Sequence, residues 1–323
     1  MARRVSVSAP SHVHVGNVDL EGSLGRMFGT LGFTLSTPRF EVELVESGEA
    51  SIKGYERRDL PTIFKQLSSV LSCRSQATVS REIPRGVGLG STTAAILSLG
   101  SGLKTLCGRK VRLEEIALSM GRSSVSALGF YSFTQGGFVI DGGYRKDVQG
   151  KKVPPLLFRA PVPSSLVMVV ALPYRPIKDV ARLKEREREI LESLRSPDPV
   201  VALKLSRITL MGIMPSIAEG DWAEAGRWIT EFNRLAGEYW SDFQGGLYCC
   251  SEVEEVIASL QESGALLAGQ SSWGPTAYGL VPRRKLEHVL ARVRHTIERV
   301  GGGKVWVSRV DNFGARIEVE ASG

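Results

Sequence analysis

The sequence predicts an α+β protein built in two lobes, and three observations predict it. Runs of strand-like alternation and runs of helical periodicity follow one another without a regular βαβ beat. The 323 residues, 42% of them hydrophobic and 23% charged, can bury a large core and favour two domains or one large domain with two lobes. A proline-rich connector, Lys151-Lys152-Val153-Pro154-Pro155 followed by Pro161 and Pro163, divides the chain where missing amide donors and fixed φ angles favour a link. The expected domains are 1–150 and 151–323.

In the first half, Val13-His14-Val15 and Phe40 to Val45 alternate as strands do, whereas Ile63, Leu67, Val70 and Leu71 fall at helical spacing. Past the connector, the apolar run Leu166 to Leu172 reads as a buried strand. Helices are predicted over Lys178 to Leu194, Pro199 to Glu219, Trp222 to Phe243, Glu252 to Ser263 and Arg283 to Val300. The chain returns to β structure at Lys304 to Val310 and Ala315 to Glu320, which flank the turn Asp311-Asn312-Phe313-Gly314.

Composition excludes several classes of protein. The longest clean apolar run is far short of the roughly 18 residues of a membrane helix, and the amino terminus lacks an apolar signal core, so a cytoplasmic protein is expected. Four cysteines without a CxxC pair argue against a zinc site or a disulfide framework, and reduced thiols are expected. The net charge of +7 suits phosphorylated metabolites or nucleic acid equally. The basic residues are interleaved with acids, as in Lys184-Glu185-Arg186-Glu187, which is the pattern of a solvated helix face, and no nucleic-acid partner is expected.

Chemistry is most legible in Pro84-Arg85-Gly86-Val87-Gly88-Leu89-Gly90-Ser91-Thr92-Thr93, which runs from a strand-like segment into an apolar helix. Glycines let backbone approach an anion, the helix start points N–H groups and its positive dipole end at it, and three hydroxyls add donors. Gly86, Gly88, Leu89, Gly90, Ser91, Thr92 and Thr93 are therefore candidate phosphate contacts. The Walker lysine is missing, and Ser91 stands where a dinucleotide fingerprint needs its third glycine. A glycine-rich helix cap is the plain alternative.

Pro84 and Gly88-Leu89-Gly90-Ser91 resemble the second motif of the GHMP kinase superfamily. Within it the chain is similar to the family of beta-ribofuranosylaminobenzene 5'-phosphate synthases, from Ala9 to Val281. The resemblance is carried by His14-Val15-Gly16, Asp19, Gly22-Ser23-Leu24-Gly25-Arg26, Gly136-Gly137-Phe138-Val139-Ile140-Asp141, Phe243-Gln244-Gly245-Gly246 and Gly269-Gln270-Ser271-Ser272-Trp273-Gly274. It implies a GHMP-type fold with a ribosomal-protein-S5-like first lobe and a ferredoxin-like second lobe. It also implies a homodimer that couples phosphoribosyl pyrophosphate to 4-aminobenzoate or 4-hydroxybenzoate with magnesium, losing carbon dioxide and pyrophosphate, in methanopterin-type cofactor biosynthesis.

By the same resemblance His14 and Asp19 line the substrate site, with Asp19 a candidate for magnesium, since hard cations prefer carboxylate oxygens. His12 lies on the same strand face as His14 by the two-residue period. The alternative for these residues is a buried histidine and a turn-capping aspartate. Ser23 and Arg26 are candidate substrate contacts, Arg26 as a guanidinium suited to phosphate or carboxylate. Asp141, at a strand exit before two glycines, either faces a pocket as a catalytic residue or caps a turn. Gln270, Ser271 and Ser272 are candidate donors to a diphosphate, or a plain turn.

Ser123 to Gln135 contains no Asp or Glu, which argues against an ordinary hydroxyl kinase and fits a decarboxylative coupling. The chain departs from the synthase pattern at Phe28 and Thr134, where acids are common, at Val125, where an arginine is common, and at Ser91-Thr92-Thr93, which is closer to the kinase form. Two alternatives therefore stand beside the synthase: an ATP-dependent small-molecule kinase, and a catalytically silent paralogue that binds a phosphorylated metabolite or a partner subunit.

Overall fold

The computed structural model describes residues 3–123, 125–148, 150–174 and 199–321. The helix expected over Lys178 to Leu194 lies outside the described residues. The longest feature is a hairpin of two strands, β1 (Arg3–Asp19) and β2 (Arg26–Glu46), paired from Arg4↔Val45 to Asp19↔Phe28. Its register shifts between Pro10 and Ser11, where proline has no amide for the ladder, and again between His14 and Gly16. Alternation along β1 buries Val5, Val7 and Ala9 and sends intervening residues outward.

One edge of the hairpin continues through β4 (Ser75–Arg81) to β3 (Ser51–Lys53), and β12 (Arg316–Ala321) closes the other, giving the order β12-β1-β2-β4-β3. The other half of β2 pairs with β5 (Phe138–Asp141) and β6 (Tyr144–Arg145), and β7 (Leu156–Ala160) pairs with β5. Four helices accompany this sheet: α1 (Leu60–Val70), α2 (Ser91–Leu106), α3 (Leu113–Ser119) and α4 (Leu128–Thr134). Central among them, α2 is buried on nearly all sides.

The second sheet has the order β11-β8-β10-β9, all antiparallel: β8 (Leu166–Pro173), β9 (Leu267–Gln270), β10 (Ala277–Pro282) and β11 (Gly303–Ser308). Every residue of β8 is buried because both faces are covered, which is why it reads as a continuous apolar run. Val167, Val169 and Ala171 face the helices Ser251–Glu262 and Leu286–Arg299, while Leu166, Met168, Val170 and Leu172 join the main core with the helix Trp222–Gln244.

Several expectations are corrected. The strands predicted on either side of Asp311 to Gly314 do not pair with each other: β11 belongs to the second sheet, and β12 (Arg316–Ala321) returns to pair with β1. Asp311 fixes this crossover, accepting from the amides of Phe313 and Gly314 and bonding Arg39 at 2.5 Å. Likewise β7, beyond residue 150, still belongs to the first sheet, so the sheets do not divide the chain at the 150/151 boundary.

Pro199 to Glu219 is not one regular helix: helical segments Pro199–Arg207 and Met214–Ala218 flank a π-turn at Ile208–Ile213. Pro215 has no amide to donate one turn back, and the wider turn before it takes up the mismatch. By length and hydropathy Pro199–Ala218 resembles a membrane span, with a mean hydropathy of 1.5, yet Leu205, Ile213 and Ile217 are buried in the core.

Nor are all four cysteines reduced. Cys73 and Cys107 form a disulfide across 6.0 Å between Cα atoms. Their 34-residue separation forms no sequence motif; packing of the turn after α1 against the C-cap of α2 brings them together. Cys249 and Cys250 remain thiols.

Candidate functional site

The glycine loop folds against two other segments, and the hydrogen bonds show how. Ser271 Oγ donates to the Gly88 carbonyl at 2.6 Å, and Thr276 Oγ1 donates to the Val87 carbonyl at 2.6 Å. Both carbonyls are thereby turned toward the second lobe, which removes two acceptors that would repel an anion. The His14 amide donates to Ser271 Oγ at 2.9 Å, and the Ser272 amide donates to the His14 carbonyl at 3.1 Å, so β1, the loop and the β9–β10 turn form one knot.

Two glycines make this approach possible. A Cβ on Gly88 would lie 2.3 Å from the Ser271 carbonyl oxygen, and one on Gly90 would lie 2.0 Å from the His12 ring; both have positive φ. Gly90 caps α2 in the left-handed conformation, and the amides of Ser91, Thr92 and Thr93 follow at the helix start, where no intrahelical acceptor exists. Beside them is Arg57, nine-tenths buried, donating to the Ser91 carbonyl at 3.0 Å and to Thr92 Oγ1 at 3.4 Å while pairing with Asp59 at 2.7 Å. Burial pushes the Asp59 carboxyl up, but hydrogen bonds and charge from Arg57, with Arg85, outweigh it and hold it below the ordinary value.

A cavity of about 850 Å3 opens beside the knot, between the lobes. His12, His14 and Thr93 line the end next to the loop, together with Ser272 and Gln270. From the second lobe, Trp240 and Trp273 stack edge to face at 4.8 Å between ring centroids, near Tyr248 and Gln244. At the other end lie Met27, Phe28, Val125 and Tyr144. Among the described residues that line it there is no Asp or Glu, whereas Arg122 and two histidines are present. Strain also collects here: of four residues other than glycine with positive φ among the described residues, Phe28, Ser123 and Ser272 line the cavity.

The structure thus brings His14, Thr93, Gln270 and Ser272 together. Gly86, Gly88, Leu89, Gly90, Ser91 and Thr92 form the loop and helix start behind Thr93. Gln270 is engaged within the protein: its Nε2 serves Gln244 Oε1 at 3.1 Å and the Ser272 carbonyl at 2.7 Å, and its Oε1 accepts from the Cys249 amide. Ser271 is fully buried in the knot and fixes the loop.

Asp19, Ser23, Arg26 and Asp141 lie outside both the cavity lining and the glycine loop. Asp19 Oδ1 accepts from the amides of Glu21 and Gly22, both at 2.8 Å, and caps its own turn. Ser23 is exposed on that turn, and Arg26 donates to the carbonyls of Gly142 and Gly143 at 3.1 and 2.9 Å. Asp141 is fully buried and accepts from three backbone amides: Thr30 at 3.2 Å and Gly143 at 2.8 Å on Oδ1, and Ala127 at 2.8 Å on Oδ2. Burial pushes its carboxyl up to about 6, against those hydrogen bonds. Both carboxylate oxygens are thus engaged by backbone, and the side chain ties β2, β5 and the start of α4 together. Among the described residues no three His, Cys, Asp or Glu come together as metal ligands, and Asp19 Oδ1 is taken up by its own turn.

Sequence reasoning missed Arg57, Arg122, Trp240 and Asn233. Asn233 donates to the carbonyls of Val15 and Gln270 and accepts from the Gln270 amide, clamping three elements. A signal was available, since Asn233 is a polar residue on a helix face otherwise made by Ile229, Phe232, Ala236 and Trp240.

This arrangement, a glycine loop feeding a helix start between two antiparallel-sheet lobes, is that of the GHMP kinase fold. The family models for the GHMP kinases N-terminal domain and the GHMP kinases C-terminal region match residues 62–133 and 213–299. Homoserine kinase from Cytophaga hutchinsonii superposes with a TM-score of 0.74 at 20% identity, covering 98% of this chain and 97% of that one. Mevalonate diphosphate decarboxylase from Enterococcus faecalis gives a TM-score of 0.63 at 13% identity, covering 98% and 99%. Within the class, the chain resembles the beta-ribofuranosylphenol 5'-phosphate synthases. It is 28% identical to that of Methanothermobacter thermautotrophicus, over 98% of this chain and 99% of the relative. It is 26% identical to that of Archaeoglobus fulgidus, over 96% and 98%.

Proposed function

We propose that this chain couples phosphoribosyl pyrophosphate to an aromatic acid, 4-hydroxybenzoate or 4-aminobenzoate, with loss of carbon dioxide and pyrophosphate, in the biosynthesis of a methanopterin-type cofactor. The observation that carries this reading is similarity, along nearly their whole length, to relatives named as beta-ribofuranosylphenol 5'-phosphate synthases.

The cavity suits that chemistry. Pyrophosphate leaves ribose C1 with the bonding electron pair, and the start of α2, its hydroxyls and Arg122 favour the negative charge it carries away. The sugar becomes cation-like, and the ring carbon bearing the carboxylate attacks C1. The bond to the carboxyl carbon then breaks, its electron pair returns to the ring, and carbon dioxide departs. No proton has to be taken from that carbon, so a lining without carboxylates among the described residues is compatible with the reaction. Magnesium in this proposal arrives on the pyrophosphate donor. A homodimer, a cytoplasmic location, and the lack of nucleic-acid and membrane partners belong to the same proposal.

The second reading, an ATP-dependent kinase, is favoured by Ser91-Thr92-Thr93 at the helix start and by the fold shared with homoserine kinase. Against it, none of the described lining residues is a carboxylate that could meet an acceptor hydroxyl. The deciding experiment supplies carboxyl-labelled 4-hydroxybenzoate and 4-aminobenzoate with magnesium, with and without phosphoribosyl pyrophosphate. Donor-dependent release of labelled carbon dioxide is expected. Folded protein that binds the donor but releases none refutes the proposal, and ADP formed from ATP with a small alcohol moves the assignment to the kinase.

A further inference from the structure

We infer that the apolar end of the cavity, made by Met27, Phe28, Val125 and Tyr144, seats the ring of the aromatic acceptor, and that Phe28 sets the preference for it. This rests on the functional reading above and adds where the acceptor sits and what chooses it.

Position argues first. His12 and His14 stand at the glycine loop, whereas Phe28 pairs with Asp19, seven residues further along β1 than His12. At about 3.3 Å per residue that is roughly 20 Å, long enough to hold a phosphorylated sugar and a ring in line. The other aromatic pair belongs to the loop end: Trp273 lies between Ser272 and Gly274, and a Cβ on Gly274 would lie 2.3 Å from the Val87 carbonyl.

Composition argues second. None of the four side chains carries a charge, and the Phe28 and Tyr144 rings pack at 5.7 Å between centroids, tilted by 51°. Such a surface favours a flat ring and disfavours an ionic group.

Conformation argues third. Phe28 has φ +67° and is 6% exposed, a conformation that is unfavourable for a bulky side chain and natural for glycine. The ring is kept there against the preference of the backbone. The wall is also held as a unit, since the three amides bound by Asp141 belong to Thr30, Ala127 and Gly143, each within two residues of Phe28, Val125 or Tyr144.

The test measures Michaelis constants of the full chain for the aromatic acid and for phosphoribosyl pyrophosphate separately. Phe28→Asn removes the ring but tolerates positive φ; Phe28→Leu keeps apolar volume without a ring face and serves should the first variant fail to fold. With the Asn variant the constant for the aromatic acid rises roughly tenfold while that for the donor stays within about twofold. With the Leu variant the rise is smaller. If neither constant moves, or both move together, the inference is overturned. Wild-type protein that binds the donor yet turns over no benzoate sinks the functional reading and this inference with it, whereas active wild type with an unchanged constant in a folded Phe28 variant sinks the inference alone.

Discussion

Replacing Asp141 by Asn removes a loss of stability that wild type suffers between pH 4 and pH 7, and loosens the cavity wall. The carboxyl, fully buried, has its ordinary 3.8 raised to about 6 by burial. In the unfolded chain it ionises near 4, in the folded chain near 6, so between those values the unfolded state binds fewer protons. Stability from this group is therefore full below about pH 4 and is lost as pH rises through 6. At about 1.4 kcal/mol per pH unit the loss amounts to about 3 kcal/mol by pH 7.

Asn mimics the protonated acid and does not titrate. Its Oδ1 can replace the oxygen that accepts from Thr30 and Gly143, but its amide nitrogen then faces the Ala127 N–H, which loses its acceptor. Urea unfolding at pH 4 to 7.5 is the assay. The variant should start below wild type at pH 4 by about 1–3 kcal/mol, the cost of the unpaired Ala127 N–H, and gain about 3 kcal/mol on it between pH 4 and pH 7, with faster amide exchange at Ala127. A gap that stays constant over this range refutes the burial argument, and unchanged exchange at Ala127 refutes the tether.

Two further outcomes follow from the same geometry. Gly88→Ala sets a methyl group against a backbone carbonyl at 2.3 Å in a residue with φ +90°, and should cost on the order of 1–3 kcal/mol; thermal melting and titration with phosphoribosyl pyrophosphate should both register it, and a variant that melts and binds like wild type counts against the knot. Reduction of Cys73–Cys107 reopens a 34-residue separation and should lower stability by about 4 kcal/mol on chain-entropy grounds; a denaturation midpoint indifferent to dithiothreitol would show that the bond contributes nothing.

What could be read in advance was local. The glycine loop announced itself because its turn residues and the helix start they cap are contiguous, from Gly86 to Thr93, and β8 did so because burial on both faces leaves no alternation. The cavity was legible only in part, since its walls come from β1, β2, the α3–α4 segment, the helix Trp222–Gln244 and the β9–β10 turn, whose proximity no spacing encodes. Asp19 and Arg26 misled for a physical reason: a charged side chain in a glycine-rich turn can satisfy backbone groups as readily as a ligand, and here both do. Cys73 and Cys107 gave no warning because helix packing, not a motif, joins them.

The return of β12 to β1 has a consequence for how the molecule is made. Residues 316–321 complete the sheet that residues 3–8 begin, so while the chain is being synthesised the outer edge of β1 stays unpaired until residue 321 and the whole second lobe have been made. An open strand edge is a template for wrong partners, and the alternation of Arg4, Ser6 and Ser8 along that edge gives it a polar face during the wait. The first lobe cannot finish folding ahead of the second, and the two are born as one unit.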